Sequence, residues 1–179
     1  MIVFLDFEAS SLNRKSFPVE VAWVFETGEG ESHLIRPQPD WTDWETEAEG
    51  IHGITRERLA REGMAADVLA RRMLEMLGPH DLFASAPSWD GKWLSVLLRG
   101  GGQPRHALRL KDTEEARAAI VARHLGPGRA DEAAAILKEI EQMGREAVPE
   151  HRALGDAERE RRLWLEAGRR AEAVARNAP

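Results

Sequence analysis

The chain opens on a short apolar run, Met1-Ile2-Val3-Phe4-Leu5, that passes directly into Asp6-Phe7-Glu8. Such a run reads as a buried strand, and desolvating a carboxylate at its end is costly unless a cation pairs with it. Residues i and i+2 of a strand point to the same side, so Asp6 and Glu8 can reach one ion between them. Hard cations such as magnesium or manganese accept that all-oxygen environment. A strand running out into a solvated acidic turn gives the same pattern, so the pair alone leaves both readings open.

The 179 residues leave room for one domain with a well-buried core, and no composition shift marks a second. The expectation is a single domain over residues 1–179 with the last few residues frayed. The lack of cysteine excludes disulfides and thiolate metal sites, and a cytoplasmic location is the simplest choice. The apolar opening is broken at Asp6, too short for a secretory leader or a membrane span, so no membrane partner is expected. A net charge of -6 disfavours nonspecific coating of a long duplex. Handling of a nucleic-acid end stays open, because bound divalent ions and local arginines can supply positive charge where it is needed.

Along the chain, Phe17 to Glu26 alternates, with Val19, Val21, Trp23 and Phe25 on one face of a second strand. Thr27-Gly28-Glu29-Gly30 supplies a hairpin turn, and Ser32 to Arg36 reads as a third strand stopped by Pro37. Pro37 to Gly50 reads as irregular and acidic, followed by a short helix from Arg56 to Arg61 behind the N-cap Thr55. A helix ending at Leu77, a strand Leu82–Ala86, a helix Trp89–Arg99 and a strand His106–Leu110 come next. Helices Thr113–Leu125, Ala130–Ala147 and about Ala153–Ala175 complete the chain, with Gly126-Pro127-Gly128 and Val148-Pro149 as breaks. This order predicts an α/β fold with a mixed five-stranded sheet, in which strands 1–3 form an antiparallel meander and strands 1, 4 and 5 run parallel, with helices on both faces. Chemistry in such a sheet falls at the carboxyl ends of the central strands, where Asp6 and Glu8 lie.

Two further segments can reach that place. Asp90 follows strand 4, which the topology sets beside strand 1, although a helix N-terminus favours an acid for its own reasons. In His151-Arg152-Ala153-Leu154-Gly155-Asp156-Ala157, the histidine makes sense at or before a helix start with Asp156 inside the helix, and Pro149 supports that break. A lone histidine there can equally be a solvated or capping residue. Trp89 and Trp93 are expected in the core, with base stacking as the other reading.

Taken together, Asp6-Phe7-Glu8-Ala9-Ser10-Ser11-Leu12, Ile51-His52-Gly53-Ile54-Thr55, Ala86-Pro87-Ser88-Trp89-Asp90-Gly91-Lys92-Trp93-Leu94 and His151-Arg152-Ala153-Leu154-Gly155-Asp156-Ala157 resemble the DEDDh 3′-5′ exonucleases. The resemblance implies a ribonuclease H-like fold and a metal-dependent 3′-5′ exonuclease. Its substrate would be the 3′ end of single-stranded or short RNA or DNA, and its products nucleoside 5′-monophosphates. It makes Asp6, Glu8, Asp90 and Asp156 the ligands of two divalent ions, magnesium or manganese, and His151 the general base. It sets the side chains of Leu12 and Ile51 against the terminal bases and the backbone amide of Ala9 at the terminal 3′ hydroxyl. The family often has Thr-Gly where this chain has Ser10-Ser11, and asparagine where it has Ala86; these departures bear on substrate choice more than on metal chemistry. Many relatives form homodimers, and the helix Ala130–Ala147 exceeds what the site needs, so it packs either on a partner or on its own sheet. The rival from a different class is a nucleic-acid-binding or regulatory module that keeps the fold without turnover.

Overall fold

The first strand, β1 (Ile2–Ala9), is central to the sheet, as its apolar content requires. The computed structural model describes residues 1–148 and 150–177. On one side β1 pairs antiparallel with β2 (Pro18–Phe25), from Val3 opposite Phe25 to a bulge between Glu8 and Ala9. On the other it pairs parallel with β4 (Asp81–Ala84). The edges are β3 (Gly30–Leu34), antiparallel to β2, and β5 (Leu110–Asp112), parallel to β4, giving the order β3-β2-β1-β4-β5. This is the expected mixed α/β sheet.

Helices cover both faces. Val3, Leu5 and Phe7 alternate into one core together with residues of α3 (Ala66–Leu77) and α4 (Pro87–Gly100). Phe4 points into the other, formed with α5 (Thr113–Leu125), α6 (Ala130–Glu146) and α7 (Ala153–Arg176). The same alternation sets Asp6 and Glu8 on the side of α7. Helix α6 packs Ile136 and Ile140 into that second core, against α5 and α7. Among the described residues no helix is long and apolar enough to cross a membrane.

Several boundaries differ from the sequence expectation. The acidic stretch after Pro37 contains a helix, α1 (Thr46–His52), that has no side-chain N-cap to announce it and stops at Gly53 in the left-handed region. Helix α2 (Arg56–Glu62) does begin at its predicted cap, with the Thr55 hydroxyl accepting from the Arg58 amide. Helix α4 starts two residues before Trp89 because Pro87 occupies its first turn, where a missing N–H costs nothing. The last strand is not His106–Leu110 but Leu110–Asp112, with Leu82 opposite Leu110. Asp112 also closes a capping box at the start of α5, so strand and helix abut and the pairing is drawn to the end of the segment. Trp93 is in the core as expected, whereas Trp89 is 39% exposed. The Pro149 break lies outside the described residues, as do Ala178 and Pro179 of the expected frayed end.

Beyond Leu34 the chain leaves the sheet edge and Ile35 bridges Met64, which brings Gly63 against backbone. A β-carbon at Gly63 would lie 2.4 Å from the Leu59 carbonyl oxygen and 2.5 Å from the Arg36 nitrogen, neither of which can rotate away. Gly63→Ala is therefore expected to destabilise the protein by about 1–3 kcal/mol in urea unfolding. A variant as stable as the parent would disprove this close approach.

Candidate functional site

Three carboxylates meet where β1 ends under the first turn of α7. Asp6, Glu8 and Asp156 each offer an oxygen within 4.8 Å of the others, and Asp156 is buried. Two come from alternate residues of one strand, so the spacing seen in the sequence is the reason they converge. Asp90, 3% exposed in the first turn of α4, faces Asp6 closely enough to raise its pKa. It accepts hydrogen bonds from the Ala86 amide at 3.3 Å and from the Phe7 amide, so it is tied to both β1 and the start of its own helix.

The electrostatics follow from this crowding. Burial, then the charges of Asp90, Glu8 and Asp156, push the Asp6 carboxyl well above its ordinary range, with Arg159 opposing. Burial raises Glu8 to about 7, helped by Asp156 and Glu20 and opposed by Arg152. Asp90 is raised to about 7 by burial in spite of its two backbone hydrogen bonds. Acidic oxygens held together at this cost fit hard divalent cations in donor type and charge.

An arginine already stands among them. Arg159, one turn after Asp156 on α7, donates to Asp156 Oδ1 at 2.5 Å and lies 3.7 Å from Glu160, which is itself bonded by Arg117 at 2.8 Å. No motif of the sequence singles out Arg159; the signal available was a basic residue three positions after a candidate ligand, on the same helical face.

The segment carrying His151 is anchored on both sides of that residue. The Glu150 amide donates to Asp156 at 3.3 Å. Arg152 donates two hydrogen bonds to Glu20 at 3.0 and 2.6 Å, and the Ala153 amide adds a third at 3.1 Å. Glu20 is 1% exposed on β2; burial alone would raise its pKa, but these bonds hold it below the usual range. Between the anchors His151 adopts φ 51°, and its imidazole is exposed and outside the acid group. The structure therefore brings Asp6, Glu8 and Asp156 together, with Asp90 outside that group but acting on Asp6 through its charge, and leaves His151 exposed on the segment that leads into Asp156.

The remaining expected positions border the same end of β1. Ala9 is the buried residue after the bulge. Leu12 is 68% and Ile51 58% exposed, both unusual for large apolar side chains. Ile51 faces outward because its neighbour His52 is buried, with Nδ1 accepting from the Ile54 amide at 3.0 Å. Ser10 and Ser11 are buried; the Ser10 hydroxyl accepts from the Phe17 amide, and the Ser11 hydroxyl donates to Asp43. Ala86 is the N-cap of α4 and supplies no side-chain cap.

No family model matches this chain, and no curated protein matches it. Solved structures do. E. coli exonuclease I in complex with a dA16 oligonucleotide superposes with a TM-score of 0.66 at 14% identity, covering 97% of this chain and 42% of the other. The zinc-bound form of the E. coli exonuclease I–ssDNA complex gives 0.63 at 15% identity, covering 90% and 38%. An apo exonuclease I gives 0.63 at 16%, covering 90% and 40%. The chain thus shares the fold of these nucleases and spans about two fifths of their length.

Raised carboxyl pKa values have a direct consequence for stability. Asp6, Glu8 and Asp90 hold protons in the folded state that the unfolded chain would release. The stability from this source is complete below about pH 4 and is lost as pH rises through about 7. In chelator the thermal midpoint should therefore fall between about pH 5 and about pH 8, by roughly 2–10 °C. Asp6→Asn should flatten the fall, and Arg159→Met should steepen it by removing the cation that opposes the raised Asp6. A midpoint independent of pH across that range would mean that these acids are not buried without sufficient positive charge.

Proposed function

We propose that this chain is a metal-dependent 3′-5′ exonuclease domain of the DEDDh type, acting on the 3′ end of single-stranded or short RNA or DNA and releasing nucleoside 5′-monophosphates. The observation that carries the reading is the convergence of Asp6, Glu8 and Asp156 within 4.8 Å, with Asp90 facing Asp6. Those four carboxylates would hold two divalent ions, magnesium or manganese. Such ions would supply the positive charge that offsets phosphate on approach and the developing charge on the leaving 3′ oxygen. The fold shared with exonuclease I, including forms in complex with ssDNA, supports the same class of chemistry.

The chain's own residues would then do the following. Neutral His151 takes the proton of the attacking water, entering from the rim by a change of side-chain or loop conformation. Leu12 and Ile51, exposed and apolar, pack against the terminal bases, and the Ala9 amide meets the 3′ hydroxyl. Arg159 pairs with Asp156 and has Glu160, 3.7 Å away, as a second partner, so Asp156 would be free to hold an ion without leaving the guanidinium unpaired.

One observation favours the rival reading of a binding module without turnover: the imidazole stands outside the acid group. A ladder assay on 5′-end-labelled single strands with manganese, magnesium or EDTA separates the two. Metal-dependent shortening from the 3′ end, one nucleotide at a time, is expected for the parent, and no turnover for Asp90→Ala. Full turnover by Asp90→Ala in saturating magnesium would remove it from the ligand set, and binding without products would establish the rival.

His151→Ala should lower turnover by about 10²- to 10⁴-fold, the usual contribution of a positioned base. Oligonucleotide affinity should stay within about twofold, which separates loss of the base from loss of the substrate site. Unchanged turnover in that variant would make His151 a loop residue with no part in the chemistry.

A further inference from the structure

The chain carries a net charge of -6, and most of its arginines are committed. Many pair with carboxylates, as in Arg72–Glu31, Arg117–Glu160, Arg152–Glu20 and Arg170–Glu166. Others bond backbone carbonyls, as Arg56 does to Trp41 and Thr42, and Arg161 to Glu26. Among the described residues Arg14, Lys15, Arg36, Lys92, Arg105, Arg109, Arg123 and Lys138 have no carboxylate within 4 Å. Five of them, Arg14, Lys15, Lys92, Arg105 and Arg109, are grouped around one helix, and all of these but Lys92 are exposed. Lys92 of α4 donates to the Asn13 carbonyl at 2.6 Å and to the Ser16 hydroxyl at 2.8 Å, which holds the loop bearing Arg14 and Lys15 against α4. On its other flank, a cleft of about 440 Å³ is lined by Gly91, Lys92 and Ser95 of α4 and by Arg105, Arg109 and Leu110 ahead of and within β5. Arg105 spends its one side-chain hydrogen bond on the His106 ring nitrogen at 2.8 Å.

A groove whose walls carry cations that no carboxylate neutralises, in a protein otherwise acidic, is suited to a chain of phosphates. It also adjoins the acid cluster, because Gly91 and Lys92 follow Asp90 directly. Trp89, half-exposed on the same helix and carrying the Lys92 ammonium 5.0 Å from its ring centroid, offers the kind of surface on which bases stack. We infer that this cleft, continued by Arg14 and Lys15, is a track for the sugar–phosphate backbone of a single-stranded polynucleotide whose 3′ end lies at the acid cluster. The inference rests on the nuclease reading for its direction, but the track itself is a binding site that can be measured without turnover. It gives the net-acidic molecule a way to hold a substrate longer than the terminal nucleotides, and contacts there should be indifferent to base sequence.

The test is fluorescence anisotropy of the full chain in EDTA with 5′-labelled single strands of about three and about twelve nucleotides. Arg105→Ala with Arg109→Ala should weaken the longer strand by tenfold or more and lower its salt dependence by about 1.4 in slope, the loss of two phosphate contacts on a single strand. Affinity for the shorter strand should stay within about twofold. A control pair, Arg123→Ala with Lys138→Ala, removes two cations from the α5 and α6 side and should change neither affinity. If the control pair weakens the longer strand as much, or if the double variant binds it like the parent, the track is wrong. The nuclease reading fails separately: a parent that binds the longer strand through Arg105 and Arg109 yet never shortens it with manganese keeps the track and loses the activity.

Discussion

Like charges packed out of water at the end of β1 set the terms for the rest of this molecule. Two carboxylates on alternate residues of a buried strand repel one another and lose hydration, and Asp156 and Asp90 are then added from two helices. Such a group persists only where the fold is stable enough to hold it and where protons or cations can relieve it. The raised pKa values of Asp6, Glu8 and Asp90 are the first form of relief, and the Arg159 ion pair is the second. Neither is complete. A single guanidinium on Asp156 leaves Asp6 and Glu8 without a direct side-chain partner among the described residues, which is the condition under which a bound divalent ion is stabilising.

Holding α7 over that repulsion requires attraction elsewhere, and Glu20 provides it. Its carboxylate, almost fully buried on β2, accepts from Arg152, from the Ala153 amide and from Ser32, so the first turn of α7 is fastened to the strand next to β1. Truncating one partner of such a buried pair leaves an uncompensated charge, so it resists opening even where its net contribution is small. The clamp lies one residue from His151, whose left-handed backbone is fixed between it and the Glu150–Asp156 contact. Position at the site is thus set by ordinary ion pairing in the helix start, while the imidazole itself is exposed.

The parts legible in the sequence are those written in short-range pattern. Strand alternation gave β1 and β2, the crossover rule gave the parallel run of β1, β4 and β5, and the i, i+2 spacing gave the Asp6 and Glu8 pair. What was not legible depends on long-range partners. Helix α1 has no capping side chain, and it is held by the burial of His52 and by the Trp44–Glu49 hydrogen bond. The limits of β5 depend on pairing with β4 and on the capping box that follows, so apolar content at Leu108 pointed to the wrong residues. Trp89 and Trp93 are four residues apart and look equivalent, yet only Trp93 reaches Ser16 and the core, leaving Trp89 stacked on its outer side.

Surface charge makes the same point in the opposite direction. A net charge of -6 argues against binding polyanions only if the charges are evenly spread, and ion pairing here makes them uneven. On α7, arginines and glutamates at i, i+3 and i, i+4 neutralise one another, as in Arg169–Glu166, Arg170–Glu166 and Arg176–Glu172. Which cations are left without a carboxylate is therefore decided by local pairing rather than by composition, and five of them fall in or beside α4, in the loop after β1 and in the segment before β5. An acidic chain can in this way keep a local basic groove beside an acidic centre, with opposite fields a few residues apart on α4. On the proposed nuclease reading, that juxtaposition would suit a phosphate chain whose last linkage approaches carboxylates that otherwise repel it.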